Sequence, residues 1–247
     1  MTFRSLLLGA TLSVSVFGAA NAQLVVGAPG NPNSGNCYPF GCSSEGGVNP
    51  WGPDYQQVYN TNDFAGPITI SSLTFYNHNF VAPGFSSPVD TGTFQISLST
   101  TSAAVNGLDF TTLSNNIGAD NTVVFDGSLP SLSGPGGLGG QLTIKLSKPF
   151  TYNPGGGDLL LDVFSTDAAV NGPLGGAYLD NYNGNAPNDI FSRTYSTSGG
   201  AFDQNWGLVT GFNVSVPEPA TWAMMMLGFS GLGMAMRSRR KQALATA

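Results

Sequence analysis

Between residues 23 and 216 the chain holds thirteen carboxylates, almost all of them Asp, and one histidine, His78. Carboxylates in such number can do three kinds of chemistry: bind a hard cation, share a proton across a glycosidic bond, or orient an imidazole. The first needs an oxygen-rich loop. Asp180–Asp189 (DNYNGNAPND) is the best stretch for it, with Asp180, Asn183 and Asp189 as candidate calcium ligands. The EF-hand order fails there, because Tyr182 and Gly184 stand at its third and fifth positions and no Glu closes the loop. The same residues also make an ordinary Asx-rich turn. The second chemistry needs two carboxyl groups roughly 5–10 Å apart in a cleft. Thirteen acids make such a pair available by chance alone. The third fails for want of partners: no G-x-S-x-G elbow is present, and His78 lies in Tyr76-Asn77-His78-Asn79-Phe80, where it reads as a solvated loop residue after a strand.

Two further patterns stand in the sequence. Gly134–Gly139 (GPGGLG) fits G-x-G-x-x-G but lacks the flanking strand and helix that make a phosphate site, and Pro135 removes a donor; it reads as a surface loop. Cys37 and Cys42 are the two cysteines. In an oxidising envelope they are expected to pair and staple a small N-terminal loop. No catalytic residue and no cofactor is assigned.

The elements that must carry these groups are strands. Apolar residues alternate with period two in Ile68–Tyr76, Thr93–Ser99 (Phe94, Ile96, Leu98 on one face), Gln141–Leu146 (Leu142, Ile144, Leu146) and Leu208–Val216 (Phe212, Val214, Val216). Gln56–Tyr59, Thr122–Phe125, Ala177–Asp180 and Ile190–Tyr195 are shorter candidates. Asp158–Phe164 (DLLLDVF) is apolar enough to be a central strand; Asp162 within it needs a partner if it is buried. Gly, Pro and Asn fill the intervals. The expected fold is all-β: an antiparallel two-sheet sandwich of jelly-roll kind, with residues 23–53 as an N-terminal segment and 54–216 as the sandwich. Trp51, Tyr55, Tyr59, Tyr178, Tyr182, Tyr195 and Trp206 lie near polar loops. They read either as half-buried sheet ends or as faces that stack sugar rings.

Three bases (Lys145, Lys148, Arg193) against thirteen acids give this region a formal charge of −10. That disfavours nucleic acid and anionic lipid.

The two ends read as addresses. Arg4, an apolar run from Leu6 to Ala19 and Ala20-Asn21-Ala22 form a signal peptide, residues 1–22, cleaved after Ala22. At the other end stand Val216-Pro217-Glu218-Pro219, an uncharged stretch over 220–236, and Arg237, Arg239, Arg240 and Lys241. The stretch is just long enough for a transmembrane helix, and the bases hold its far end in the cytoplasm. Pro217 and Pro219 keep the preceding segment extended. This tail, 217–247, resembles the PEP-CTERM sorting signal of Gram-negative bacteria. The resemblance implies an exosortase as partner, a membrane cysteine protease or transpeptidase that acts on this chain as its substrate. It also implies transient anchoring in the inner membrane, then the cell surface. An ordinary uncleaved anchor is the alternative. CYPFG, YQQVY, GPITISSLTF and GGGDLLLDV in the middle region are similar to uncharacterised exported bacterial domains, which implies a β-sandwich and no known activity. The expected role is a structural or carbohydrate-binding component of the cell surface or polysaccharide matrix. A glycan-acting hydrolase and a calcium-dependent adhesion module are the alternatives.

Overall fold

The computed structural model describes residues 20–30, 34–41, 53–78, 89–132, 140–169, 176–196 and 201–216. The transmembrane helix expected over 220–236 and the loop Gly134–Gly139 lie outside them. Among the described residues no helix is long and apolar enough to cross a membrane. One compact unit runs from Asn21 to Val216.

The described residues form thirteen strands: β1 (Ala20–Val26), β2 (Ser34–Asn36), β3 (Asp54–Tyr59), β4 (Ile68–Tyr76), β5 (Thr91–Thr101), β6 (Thr122–Gly127), β7 (Gln141–Tyr152), β8 (Asp158–Ala169), β9 (Leu179–Tyr182), β10 (Phe191–Tyr195), β11 (Ala201–Asp203), β12 (Gly207–Leu208) and β13 (Thr210–Val216). They make a four-stranded sheet in the order β1-β13-β4-β7 and a six-stranded sheet in the order β11-β10-β3-β8-β5-β6. A third sheet, β12-β9-β2, was not expected and corrects the two-sheet reading. Its strands are two to four residues long, too short to carry an alternation of their own.

All ladders of the six-stranded sheet are antiparallel. DLLLD sits at its heart: β8 pairs with β3 on one side and β5 on the other. Leu159, Leu161 and Val163 face the main core, while Leu160 faces away and packs with Val58 and Leu108 under the 102–117 loop. Both faces of the strand are therefore covered, which is why its sequence is a run and not an alternation.

The two large sheets meet through aromatic side chains. Tyr59 on β3 and Phe212 on β13 stand edge to face with centroids 5.1 Å apart, and the Tyr59 hydroxyl hydrogen-bonds Thr210 Oγ1 at 2.7 Å. Phe40, from the loop after β2, touches Phe75 at 4.8 Å and Phe94 at 6.0 Å, one ring from each sheet. Each such fully buried ring contributes roughly 1.5–3 kcal/mol of apolar burial.

Two irregularities are read from sequence once the ladder is known. In ITISSLTFY the buried set runs Ile68, Ile70, then Leu73, Phe75; the register slips between Ile70 and Ser72, so a bulge at the two serines returns the apolar face inward. β7 runs on past Leu146 to Tyr152 through Pro149. It is an edge strand, where a missing N–H is tolerated. Lys145 and Lys148, both exposed, stand on this same edge and discourage sheet-to-sheet pairing.

Candidate functional site

Asp180 and Asp189 send their carboxylates to different partners. Asp180 is 2% exposed; its Oδ2 accepts the Gly30 N–H at 2.7 Å and its Oδ1 lies 2.9 Å from His78 Nδ1. Asp189 Oδ1 accepts from Asn106 Nδ2 at 3.1 Å, and Asn183 is exposed. Among the described residues no group of three or more His, Cys, Asp or Glu is placed to hold a metal ion.

His78 lies in the loop after β4, as expected, with its side chain 37% exposed. Its ring packs on Gly35, its backbone N–H donates to Tyr178 O at 2.8 Å, and Nδ1 hydrogen-bonds Asp180. The pair is 102 residues apart in the chain and meets because Asn77 bridges Leu179 on β9. Asp180→Ala removes the hydrogen bonds to the exposed Gly30 N–H and to the partly exposed His78 ring together. The expected loss is about 1–2 kcal/mol, read from the urea midpoint; a variant within about 0.5 kcal/mol of wild type would mean the pair is replaced by water without penalty.

A split pair of carboxylates does exist, at the start of β8. Asp158 accepts two backbone N–H groups, from Thr61 at 2.9 Å and Val105 at 3.2 Å. Beside it Asp63 is half-buried and its Oδ2 has no hydrogen-bond partner. Burial first, and the neighbouring Asp158 charge second, push Asp63 up to about 6. Nearby Tyr152, which donates to Gly157 O at 2.8 Å, is raised as well, by burial, then Asp158, then Asp63. A carboxyl that holds its proton toward neutrality is the kind of group general acid chemistry uses.

The Asp63 shift has a signed consequence. Its folded pKa lies above the ordinary carboxylate value of 3.8, so the folded state holds the proton more tightly than the unfolded one. The stabilisation is complete below about 4 and is lost as pH rises through about 6. Asp63→Asn cannot lose it. Denaturation midpoints of the two chains are expected to coincide near pH 4, to separate up to pH 6 with the variant above, and to run parallel beyond; a constant gap from pH 4 to 7 contradicts this origin.

On the outer face of the six-stranded sheet, Gln56 Nε2 donates to Asp162 Oδ1 at 3.1 Å, and Asn116 Nδ2 donates to Gln56 Oε1 at 2.8 Å. Asp162 thus has the partner its burial requires, and burial raises its carboxyl. Asp109 is held well below the usual carboxylate range by the Thr111 hydroxyl, the Asn115 amide and the Thr112 and Thr111 N–H groups. It pins the turn that covers this face.

The aromatic set divides. Tyr55 and Tyr59 are core residues at 0% exposure. Tyr195 is buried, and the Arg193 guanidinium lies 4.8 Å from the centre of the half-buried Trp206 ring. Tyr178 is 41% exposed; Trp51 lies outside the described residues. Cys37 is not a free thiol, and the Gly41 N–H donates back to Cys37 O at 2.6 Å; Cys42 is outside the described residues.

Of the sorting residues, Val216 is the last residue of β13, and Pro217, Glu218, Pro219, Arg237, Arg239, Arg240 and Lys241 lie outside the described residues. At the other terminus β1 begins at Ala20, so a cut after Ala22 would leave Gln23–Val26 as the strand. β13 is an inner strand, between β1 and β4, and pairs as far as Ser215↔Thr69. Pro217 has no N–H to continue that ladder. The last core strand and the first residue of the motif are therefore consecutive in the chain.

No curated protein and no solved structure matches the chain. Residues 215–241 match the family described as the PEP-CTERM protein-sorting motif. The chain carries a PEP-CTERM sorting motif, and with it the export, membrane transit, exosortase processing and delivery to the cell surface that this motif directs.

Proposed function

We propose that the processed chain is a structural or carbohydrate-binding component of the cell surface or extracellular polysaccharide matrix of a Gram-negative bacterium. The observation that carries this reading is the junction at Val216: the last strand of the described β domain ends where the sorting signal begins. The signal peptide is removed after Ala22. The exosortase removes the stretch beyond the Pro-Glu-Pro motif, and Cys37 pairs with Cys42 in the oxidising envelope. The strand orders β1-β13-β4-β7 and β3-β8-β5-β6, with the chain crossing between sheets from β3 to β4, β4 to β5, β6 to β7 and β7 to β8, support a jelly roll extended by β9–β12.

The test is the intact mass of the chain recovered from the surface of producing cells, followed by binding to their own matrix polysaccharide. A chain that starts at Gln23, ends between Val216 and Pro219, lacks two hydrogens at its cysteines and is retained by the polysaccharide is the expected result. A chain that keeps 220–247 is a plain membrane anchor, and one that ignores the polysaccharide removes the matrix role.

The Asp63–Asp158 pair favours one second reading, a glycan-acting hydrolase with Asp63 as acid. Release of reducing ends from matrix polysaccharide, abolished in both Asp63→Asn and Asp158→Asn, would establish it; turnover equal in wild type and variants would end it.

A further inference from the structure

We propose that a cavity beside the start of β5 binds one neutral sugar ring. It has a volume of about 270 Å³ and is lined by Val89, Asp90, Thr91 and Gly92 on one side and Ser128, Leu129, Ser131 and Leu132 on the other. The inference rests on the carbohydrate-binding form of the function proposed above and gives it a site. Among the described residues, no aromatic side chain lines this cavity.

Size decides first. Pockets for drug-sized ligands hold roughly 300–1,000 Å³. This one falls just below that range, so it takes a single ring and not an oligomer.

Chemistry decides next. The lining offers one carboxylate and three hydroxyls, from Asp90, Thr91, Ser128 and Ser131, set among the aliphatic side chains of Val89, Leu129 and Leu132. A carboxylate accepts from two adjacent hydroxyl groups at once, hydroxyls both donate and accept, and aliphatic groups cover the C–H face of a pyranose. Among the described residues no Lys or Arg lines the cavity, and residues 23–216 carry a formal charge of −10, so an anionic sugar is disfavoured. A calcium ion wants six to eight oxygens, and three aliphatic side chains on the walls make this a poor cage for it.

The walls are held in place. Asp90 is 2% exposed, and its N–H donates to Phe40 O at 2.7 Å; Phe40 is itself wedged between Phe75 and Phe94. Leu129 and Leu132 pack against the main core. Gly92 adopts φ +104°, a conformation that L side chains rarely reach, which sets the bend of the chain along the rim. The affinity for a single sugar is expected to be about millimolar.

The experiment is saturation-transfer NMR on the chain recovered from the cell surface. The probes are the methyl glycosides of glucose, galactose and mannose, N-acetylglucosamine, and glucuronate as the anionic control. Ser131→Trp plugs the mouth from an exposed position that leaves the core untouched, and Asp90→Asn removes the carboxylate while keeping its shape. Expected are transfer to at least one neutral sugar, none to glucuronate, and a loss of at least about fivefold in Ser131→Trp and, where it folds, in Asp90→Asn. No transfer from any neutral sugar, transfer unchanged in Ser131→Trp, or a melting shift with calcium chloride and none with sugar overturns the proposal. If Ser131→Trp still binds matrix polysaccharide as wild type does, the cavity is not the site and the surface role stands. If the cavity binds a sugar and the chain ignores the matrix, the role falls and the site stands.

Discussion

Replacing Pro217, Glu218 and Pro219 together by alanine is expected to leave the chain with its apolar tail still attached. Two prolines set φ near −65° and withhold two N–H groups, which disfavours a helix through this tripeptide. Each proline also disfavours helix by about 3 kcal/mol relative to alanine. Three alanines would let the helix expected over 220–236 grow back toward Val216, and the extended substrate that a membrane protease reads would vanish. The processed fraction should fall at least about tenfold, equivalent to about 1.4 kcal/mol in recognition. The intact mass or the ratio of tailed to trimmed chain in membrane and surface fractions measures it. Glu218→Gln separates charge from shape: it keeps the extended backbone and removes only the carboxylate. Unchanged trimming in the triple variant would mean that the motif is not what the exosortase reads.

The largest effect on stability is expected at Gln57. This side chain is fully buried on β3 and behaves like a piece of backbone. Its Oε1 accepts the Leu208 N–H at 2.8 Å and the Tyr55 hydroxyl, while its Nε2 donates to Leu208 O at 2.9 Å. One amide thus joins the six-stranded sheet to β12 of the three-stranded sheet. The fit is close: a Cβ at Gly207 would come within 2.6 Å of Phe191 Cδ2 and 2.9 Å of Gln57 Cδ. Gln57→Leu keeps the volume and orphans the Leu208 N–H, while Leu208 O keeps the Thr210 hydroxyl at 3.0 Å and the Tyr55 hydroxyl keeps its contact with Arg193. At roughly 1–3 kcal/mol for the orphaned N–H and about 1 kcal/mol for the other hydrogen bonds lost, the loss is about 2–4 kcal/mol. That approaches the whole stability of a marginal domain. Urea unfolding checks it, with Gln57→Glu as comparison, because Glu retains the acceptor and loses the donor to Leu208 O. A loss under about 1 kcal/mol in Gln57→Leu would show that water satisfies these groups.

How much could be read without coordinates differed by strand. Ile68–Tyr76 is the same span in sequence and structure, because its buried side chains are spaced along a single segment. Phe94, Ile96 and Leu98, and Leu142, Ile144 and Leu146, are inward as their alternation requires. The second half of β7 was not legible: Ser147-Lys148-Pro149 breaks the alternation, and its pairing to β4 depends on Ile68–Ile70 far upstream. Leu208–Val216 reads as one strand but divides at Val209, since Leu208 pairs with β9 and Thr210 onward with β4. The Gly-rich intervals hid β2 and β11, three residues each.

What the sequence alone determined was the class of fold and the destination. Period-two alternation is a property of neighbouring residues, and a sorting signal is read as a contiguous stretch by machinery outside the molecule, so both are written locally. Tertiary structure decided the third sheet, the Gln57–Leu208 joint across 151 residues, the Asp180–His78 pair across 102 and the raised Asp63 carboxyl beside Asp158. Each of these depends on which distant backbone or charge arrives at a given side chain, and on how much water is expelled when it does, and neither quantity exists until the sheets have closed.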